Sequence, residues 1–160
     1  MTTTYRIVVG VDGSEGGERA LRWAVHEAAG RPAATVLAVT AYSTDTSEGS
    51  SLWYREQRKA MAEEMLGGQI VRALANNPRV AVTTRVVQGS AVEALLDSAR
   101  GAHLLVLGSH GHGRLYHAVL GSVAQECVRD ARCPVVVVPA PAREKVAPAS
   151  APDGIPAAIL

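Results

Sequence analysis

The sequence predicts an α/β fold in which helices cover a mostly parallel β-sheet. Short apolar runs, rich in β-branched residues, alternate along the chain with longer segments whose apolar residues recur at helical spacing. The runs lack the regular polar alternation of a strand with one wet face, so they indicate strands that are buried on both faces. Strands joined by helices pair in parallel through right-handed crossovers.

Five predicted strands alternate with four predicted helices in one domain, residues 1–139. Ser14 is the predicted N-cap of the first helix, and Gly30 with Pro32 ends that helix. The predicted strands are residues 7–11, 35–40, 80–87, 103–107 and 134–138, and the later helices are residues 52–75, 90–100 and 121–130. Residues 140–160 are rich in Ala and Pro and show neither the helical nor the strand periodicity. This composition predicts a mostly disordered C-terminal tail.

Composition excludes several classes of protein. The 160 residues carry a formal net charge of +1, whereas a nucleic-acid binder that neutralises phosphates is strongly basic. No apolar run is long enough to span a bilayer, and the first one is too short for a secretory signal. Two cysteines, Cys127 and Cys133, are too few for a disulfide scaffold or a four-ligand zinc site. We therefore expect a cytoplasmic protein with reduced cysteines that binds neither nucleic acid nor membrane.

A glycine-rich segment between the fourth strand and the fourth helix is the strongest functional signal. It reads Leu107-Gly-Ser-His-Gly-His-Gly-Arg114 and continues to Leu120-Gly-Ser-Val123. Glycines let backbone amides approach a ligand closely, and a helix N-terminus adds free N–H groups with a partial positive charge. Both features suit a phosphate group. The segment therefore predicts a phosphate-binding site.

The standard phosphate motifs do not fit this segment. Gly108 and Gly113 have the spacing of a P-loop, but Arg114 and Leu115 stand where Lys and Ser or Thr are required. No strand is followed by G-x-G-x-x-G either, so a P-loop NTPase and a standard dinucleotide dehydrogenase are both disfavoured. His110 and His112 are weak evidence for a metal site, because no carboxylate or cysteine accompanies them.

The spacing Gly108-x2-Gly111-x9-Gly121-Ser122 resembles the ATP-binding signature of the universal stress protein family. Residues 7–14 and 133–138 also resemble the first strand with its turn and the last strand of that family. The resemblance covers residues 5–139. It implies a Rossmann-like open sheet of five parallel strands in the order 3-2-1-4-5, with helices on both faces. That order reverses between strands one and four, and ligands bind open α/β sheets at such a point.

The resemblance implies ATP as the ligand, together with Mg²⁺. Asp12 would lie near the ribose or the Mg²⁺ ion, although it could simply cap the turn into the first helix. Val39 would present its backbone to the adenine edge. Trp53 and Tyr54 could cover the nucleotide, or pack against the domain. The nucleotide-binding residues that the resemblance implies are Gly10, Asp12, Val39, Gly108, Ser109, Gly111, His112, Gly113, Arg114, Gly121, Ser122 and Val123.

The last strand predicts a way in which two chains associate. Four valines, Val135, Val136, Val137 and Val138, form a strand that would lie at the edge of the sheet. An unpaired apolar edge strand promotes aggregation. The resemblance implies a homodimer in which this strand pairs with its symmetry mate, an isologous contact that satisfies both edges.

The predicted function is that of an ATP-binding regulator of the stress response, with little or no turnover. The site offers no evident catalytic lysine, arginine finger or positioned base of the kind that phosphoryl transfer needs, so slow ATP hydrolysis is the most that we expect. The alternatives are a member of the family that binds another nucleotide, such as a cyclic one, or that acts without a nucleotide. An adenylating enzyme is disfavoured, because the motif that such enzymes carry after the first strand is absent here.

Overall fold

All nine predicted elements are present. The computed structural model describes residues 4–44, 51–110 and 120–141 of the chain. The predicted sites at Gly111, His112, Gly113 and Arg114, and residues 142–160 of the predicted tail, lie outside the described residues. The elements are β1 (Tyr5–Gly10), α1 (Glu15–Ala29), β2 (Ala34–Tyr42), α2 (Leu52–Leu74), β3 (Ala81–Gln88), α3 (Ala91–Ser98), β4 (Leu104–Gly108), α4 (Ser122–Asp130) and β5 (Val135–Val138).

The five strands form one parallel sheet in the order β3-β2-β1-β4-β5, so the predicted topology is confirmed. The strand β1 lies in the centre, with β2 on one side and β4 on the other. The chain adds strands β2 and β3 in one direction from β1 and then β4 and β5 in the other. The strand order therefore reverses between β1 and β4, at the middle of the sheet.

Two apolar layers cover the sheet, one on each face. Ile7 and Val9 point toward the layer that contains α1 and α2, and Val8 points toward the layer that contains α3 and α4. All three are fully buried. Side chains alternate between the faces of a strand, and here both faces are dry, which explains why the sequence of β1 is a continuous apolar run.

The first helix begins as the sequence predicts. Ser14 has an extended backbone, and its hydroxyl accepts a hydrogen bond from the Gly17 N–H at 3.1 Å, so it is the N-cap. The carboxylate of Asp12 accepts hydrogen bonds from the Ser14 N–H, at 3.0 Å, and from the Ser14 hydroxyl. Asp12 therefore does stabilise the turn from β1 into α1, as one of the two predicted interpretations requires.

The start of α1 packs directly on the end of β4. A Cβ atom on Gly108 would lie 2.6 Å from the carbonyl carbon of Gly16 and 2.7 Å from its oxygen. A Cβ atom on Gly16 would collide in turn with the carbonyl oxygen of His110. Real Cβ atoms do not approach other atoms this closely, and the atoms in the way belong to the backbone. The absence of a side chain at Gly108 is therefore needed to pack helix against strand, whatever ligand the cleft holds.

Both cysteines are free thiols. Cys127 is fully buried in the layer under α4, and this burial raises the pKa of its thiol to about 11. Burial also raises the pKa of Cys133. Because the thiolate is the reactive form, both groups are poor nucleophiles at neutral pH in the folded chain.

Among the described residues, no helix has the length and the apolar character that crossing a membrane requires. The long helix α2 is amphipathic, with Leu66 and Ala73 in the core. The prediction that Trp53 packs against the domain is wrong, since 68% of its surface is exposed. Local sequence could not show this, because only the structure shows that the stripe with Leu66 and Ala73, and not the stripe with Trp53, faces the sheet.

Candidate functional site

A cleft of about 660 Å³ opens at the carboxyl ends of β1, β2 and β4, where the strand order reverses. Eight of its lining residues belong to the predicted site: Gly10, Asp12, Val39, Gly108, Ser109, Gly121, Ser122 and Val123. The structure therefore brings together every predicted nucleotide-binding residue that it describes. The remaining described lining residues are Val11, Gly17, Ala41, Ala91, Leu95, Leu107, His110, Leu120, Ala124 and Gln125.

One end of the cleft is formed by the N-terminus of α4. Gly121 is the N-cap residue and makes no side-chain cap. The N–H groups of Ser122, Val123 and Ala124 precede the first complete helical turn, so they have no acceptor within the helix. The Gly121 N–H donates to the Ser109 carbonyl at 2.8 Å, which fixes the start of α4 on the end of β4. This end of the cleft offers backbone donors and the positive end of a helix dipole.

The opposite end of the cleft is apolar. Ala41 lies near the end of β2, Ala91 and Leu95 lie on α3, and Leu107 lies on β4. The alanines are small, so they leave room between the helix and the sheet. The sequence did not mark Ala41, Ala91 or Leu95 as site residues, because an alanine or leucine on a helix or strand carries no local sign that it faces a cleft.

The backbone of Ala41 extends past the end of β1. The Val39 carbonyl accepts from the Val11 N–H at 2.9 Å, and on the other side of the strand the Tyr42 carbonyl accepts from the Gly89 N–H at 3.0 Å. Backbone groups alternate between the two neighbours along a strand, so Ala41 faces the same side as Val39. Among the described residues neither its N–H nor its carbonyl has a partner. The apolar end of the cleft therefore has one backbone donor beside one backbone acceptor.

Asp12 is the one acidic side chain among the described residues that line the cleft. It is exposed, and only Val11 separates it from the end of β1. The described residues hold no group of three His, Cys, Asp or Glu side chains that could bind a metal ion. A hard cation here would have one carboxylate ligand, and Mg²⁺ is commonly held in this way, by one or two carboxylates, substrate phosphates and water.

His110 lies where β4 passes into the glycine-rich segment. Its Nδ1 is 3.1 Å from the hydroxyl of Ser109, which is itself buried. Its Nε2 is buried and has no hydrogen-bond partner among the described residues. Such an atom is the kind of group that a bound ligand can satisfy. Trp53 and Tyr54, by contrast, are not among the described residues that line the cleft.

Comparisons with known proteins agree with this fold. Residues 4–139 match the model of the universal stress protein family. A universal stress protein of Mycobacterium tuberculosis is 33% identical over 136 residues, which cover 85% of this chain and 48% of the relative. The chain spans about half the length of the curated relatives that it matches.

Two solved structures show the same fold. The universal stress protein UspA from Lactobacillus plantarum has a TM-score of 0.69 and 22% identity, and the match covers 86% of this chain and 99% of that one. A universal stress protein solved in complex with cAMP has a TM-score of 0.65 and 29% identity, with 83% and 95% covered. The family match spans every strand and helix described above. The chain belongs to the universal stress protein family.

Proposed function

We propose that this chain binds ATP, with Mg²⁺, as a regulator of the stress response and turns it over slowly or not at all. The observation that carries the proposal is the cleft at the reversal of strand order. It has an apolar end with a backbone donor and acceptor, and an opposite end with the free amides of a helix N-terminus. A nucleotide matches this arrangement, because its flat heterocyclic base suits the apolar end and its phosphates suit the free amides.

The apolar end suits adenine. Ala41 and Ala91 leave room for a planar ring, and Leu95 and Leu107 offer apolar contact. The Ala41 N–H can donate to a ring nitrogen while its carbonyl accepts from the exocyclic amine, so one residue reads the adenine edge with its backbone. In this arrangement Val39, whose carbonyl is already bonded to Val11, contributes the adjoining wall.

The polar end suits phosphate without basic side chains. The described residues that line the cleft include no Lys or Arg, so the amides of Ser122, Val123 and Ala124 supply the donors there. Amides at a helix N-terminus bind phosphate with little side-chain charge. Asp12 would hold the Mg²⁺ ion, which partly neutralises the phosphates when bound.

The side chains of the cleft favour binding over turnover. Asp12 and His110 are the titratable groups among its described lining residues. One Asp12 oxygen already accepts from Ser14. Phosphoryl transfer relies on several charged groups positioned around the transferred phosphate, and the described cleft offers too few of them. We therefore expect at most slow hydrolysis.

A cyclic nucleotide is the second candidate ligand. The related structure with 29% identity was solved in complex with cAMP, and the adenine end of the cleft would accept either molecule. ATP is favoured because the signature Gly108-x2-Gly111-x9-Gly121-Ser122 is complete in the sequence, and this signature resembles that of the ATP-binding members of the family.

Native mass spectrometry of the chain, purified without added nucleotide, tests this proposal. We expect a population whose mass exceeds that of the protein by one ATP, and that loses it on denaturation. Addition of excess cAMP should displace little of the bound ATP. A chain that purifies bare and gains no mass with added MgATP would contradict the proposal, and a cAMP adduct that ATP does not displace would favour the second candidate.

We further propose that the chain forms a homodimer through β5. This strand pairs with β4 on one side, and among the described residues no strand pairs with its other side. Its four valines are only half-buried. Pairing with a second copy would cover both the valine side chains and the unpaired backbone.

Val137→Pro is expected to convert the dimer into a monomer. The Pro134 carbonyl accepts from Leu105 of β4, and the Val138 carbonyl accepts from Ser109, the residue after β4. By alternation, the N–H of Val137 therefore points away from β4. Proline removes that outward donor and leaves the ladder to β4 intact. Sedimentation velocity would show a dimer for the unaltered chain and a monomer for Val137→Pro, with Val128→Ala on the surface of α4 as the control. An unchanged dimer in the proline variant would contradict pairing through β5.

A further inference from the structure

The hydroxyl of Ser14 lies between the first turn of α1 and the carboxylate of Asp12. It accepts a hydrogen bond from the Gly17 N–H at 3.1 Å, and it donates one to Asp12 Oδ1. The Ser14 N–H donates to the same carboxylate oxygen, at 3.0 Å. Capping of the helix accounts for the bond that Ser14 accepts. It does not account for the two bonds that Ser14 donates to Asp12.

Ser14 is buried, whereas the carboxylate that it contacts reaches the cleft. Only 7% of Ser14 is exposed, while Asp12 is exposed and lines the cleft. Hydrogen bonds to an ionised carboxylate are stronger than bonds between neutral groups. An ionised carboxylate has about four acceptor sites, and Ser14 uses two of them, both on Oδ1. Ser14 therefore fixes the orientation of the carboxylate without taking up all of its acceptor sites.

The first turn of α1 leaves room for the carboxylate in this orientation. A Cβ atom on Gly17 would lie 2.7 Å from Asp12 Oδ1 and 3.1 Å from the Asp12 backbone nitrogen. Glycine is less favourable than alanine in a helix, so the helix itself does not favour glycine at this position. The absence of a side chain at Gly17 lets the Asp12 carboxylate lie against the start of α1.

The backbone that precedes Asp12 is held as well. The Val11 N–H donates to the Val39 carbonyl at 2.9 Å, and the Val11 carbonyl accepts from the Thr40 hydroxyl. Thr40 is almost fully buried. Both backbone polar groups of Val11 are therefore bonded to β2, while Ser14 holds the side chain of Asp12. The orientation of the carboxylate is set by the fold before any ligand binds.

We propose that Ser14 is a positioning residue for the metal ion, and that its hydroxyl holds the Asp12 carboxylate in the orientation that meets the Mg²⁺ of bound MgATP. This inference rests on the proposed function, because it concerns the ion that accompanies ATP. Carboxylates that ligate a metal are commonly held by such hydrogen bonds, whose loss typically lowers metal affinity by about 10- to 100-fold. Without the ion, the Asp12 carboxylate repels the phosphates as a like charge. Ser14 therefore sets how strongly ATP binding depends on Mg²⁺.

The dependence of ATP affinity on Mg²⁺ tests this proposal. Isothermal titration calorimetry of the full chain gives the dissociation constant of ATP in EDTA and in excess Mg²⁺, and the ratio of the first to the second is the Mg²⁺ enhancement. We expect Ser14→Ala to lower the enhancement about tenfold, by weakening binding in Mg²⁺. Ser14→Thr retains the hydroxyl and should retain the enhancement. Asp12→Asn should lower it at least as far as Ser14→Ala, because it removes the metal ligand itself.

Two further variants separate this role from capping. Ser51→Ala is the matched control, because Ser51 caps α2 through the same kind of bond, from the Tyr54 N–H at 3.2 Å. Ser51 is not among the described residues that line the cleft, so its substitution should leave the enhancement unchanged. Gly17→Ala leaves the Ser14 cap in the sequence but displaces Asp12 Oδ1, and it should lower the enhancement.

The outcomes distinguish this inference from the proposed function. The role of Ser14 is overturned if Ser14→Ala keeps the enhancement of the unaltered chain, or if Ser51→Ala or Ser14→Thr lowers it as far as Ser14→Ala does. An unaltered chain that binds ATP equally well with and without Mg²⁺ would also overturn it, while ATP binding itself would stand. An unaltered chain that binds no ATP under either condition would overturn the proposed function together with this inference.

Discussion

Gly108→Ala is expected to lower the free energy of unfolding by about 3 kcal/mol, the upper part of the range for overpacking a tight site. The added methyl group would lie 2.6 Å from the backbone carbon of Gly16. Neither strand nor helix can yield easily, because β4 is bonded to both of its neighbours and α1 is held by its Ser14 cap. Urea denaturation monitored by circular dichroism measures the effect.

Gly30→Ala is the matched control for this experiment. Gly30 ends α1 with φ near −82°, a conformation that alanine adopts without strain, and its Cβ would lie 3.8 Å from the nearest atom, the Glu27 oxygen. We expect the free energy of unfolding to change by less than about 1 kcal/mol. An increase is favoured, because alanine restricts the unfolded chain more than glycine does. Similar decreases in the free energy of unfolding at both positions would show that Gly108 is not needed for the close packing of α1 on β4.

Ala91→Trp is expected to reduce the affinity for ATP by at least about 100-fold, or about 2.7 kcal/mol. Ala91 is the first residue of α3 and is only half-buried, so a larger side chain there fills the apolar end of the cleft without entering the core. The indole would occupy the space that we assign to adenine. Isothermal titration calorimetry with MgATP measures the affinity.

Glu93→Trp serves as the control for this substitution. It lies on the same helix and is exposed, but it is not among the described residues that line the cleft. We expect its affinity for ATP to match that of the unaltered chain. If both tryptophan variants bound ATP as tightly as the unaltered chain, the base would have to bind elsewhere.

The nine elements were predictable because local and tertiary signals coincide in this chain. The continuous apolar run of β1 indicates burial on both faces, and Ile7, Val8 and Val9 are buried on both. Ser14 carries the capping signal and is the cap. The strand order came from the resemblance to a family, since parallel strands joined by helices allow several orders.

The site was predictable only in part, for a physical reason. Glycines and a serine at a helix start predict a phosphate site from the sequence, so Gly108 and Gly121 could be identified before the structure was known. Ala41 and Ala91 form the opposite end of the cleft only because the sheet and α3 meet there. Gly108 also serves a second purpose, packing against Gly16, that the motif does not reveal.

The exposure of Trp53 is a third case in which sequence was insufficient. A tryptophan beside Leu52 at the start of a long helix is typical of a segment that packs in the core or covers a ligand. Both residues are nevertheless exposed. The period of α2 assigns Trp53 to the outer face once Leu66 and Ala73 define the inner one. Only the structure shows which of the apolar stripes faces the sheet.

An amide NMR titration of the whole chain with MgATP tests ATP binding in this cleft, because it reports where the nucleotide binds as well as whether it binds. We expect saturable shifts concentrated at Ala41 and at Ser122, Val123 and Ala124, the two ends of one cleft. Amides on the outer face of α2, such as that of Gln57, should not shift. A spectrum that MgATP leaves unchanged, or shifts that avoid both ends of the cleft, would contradict ATP binding there.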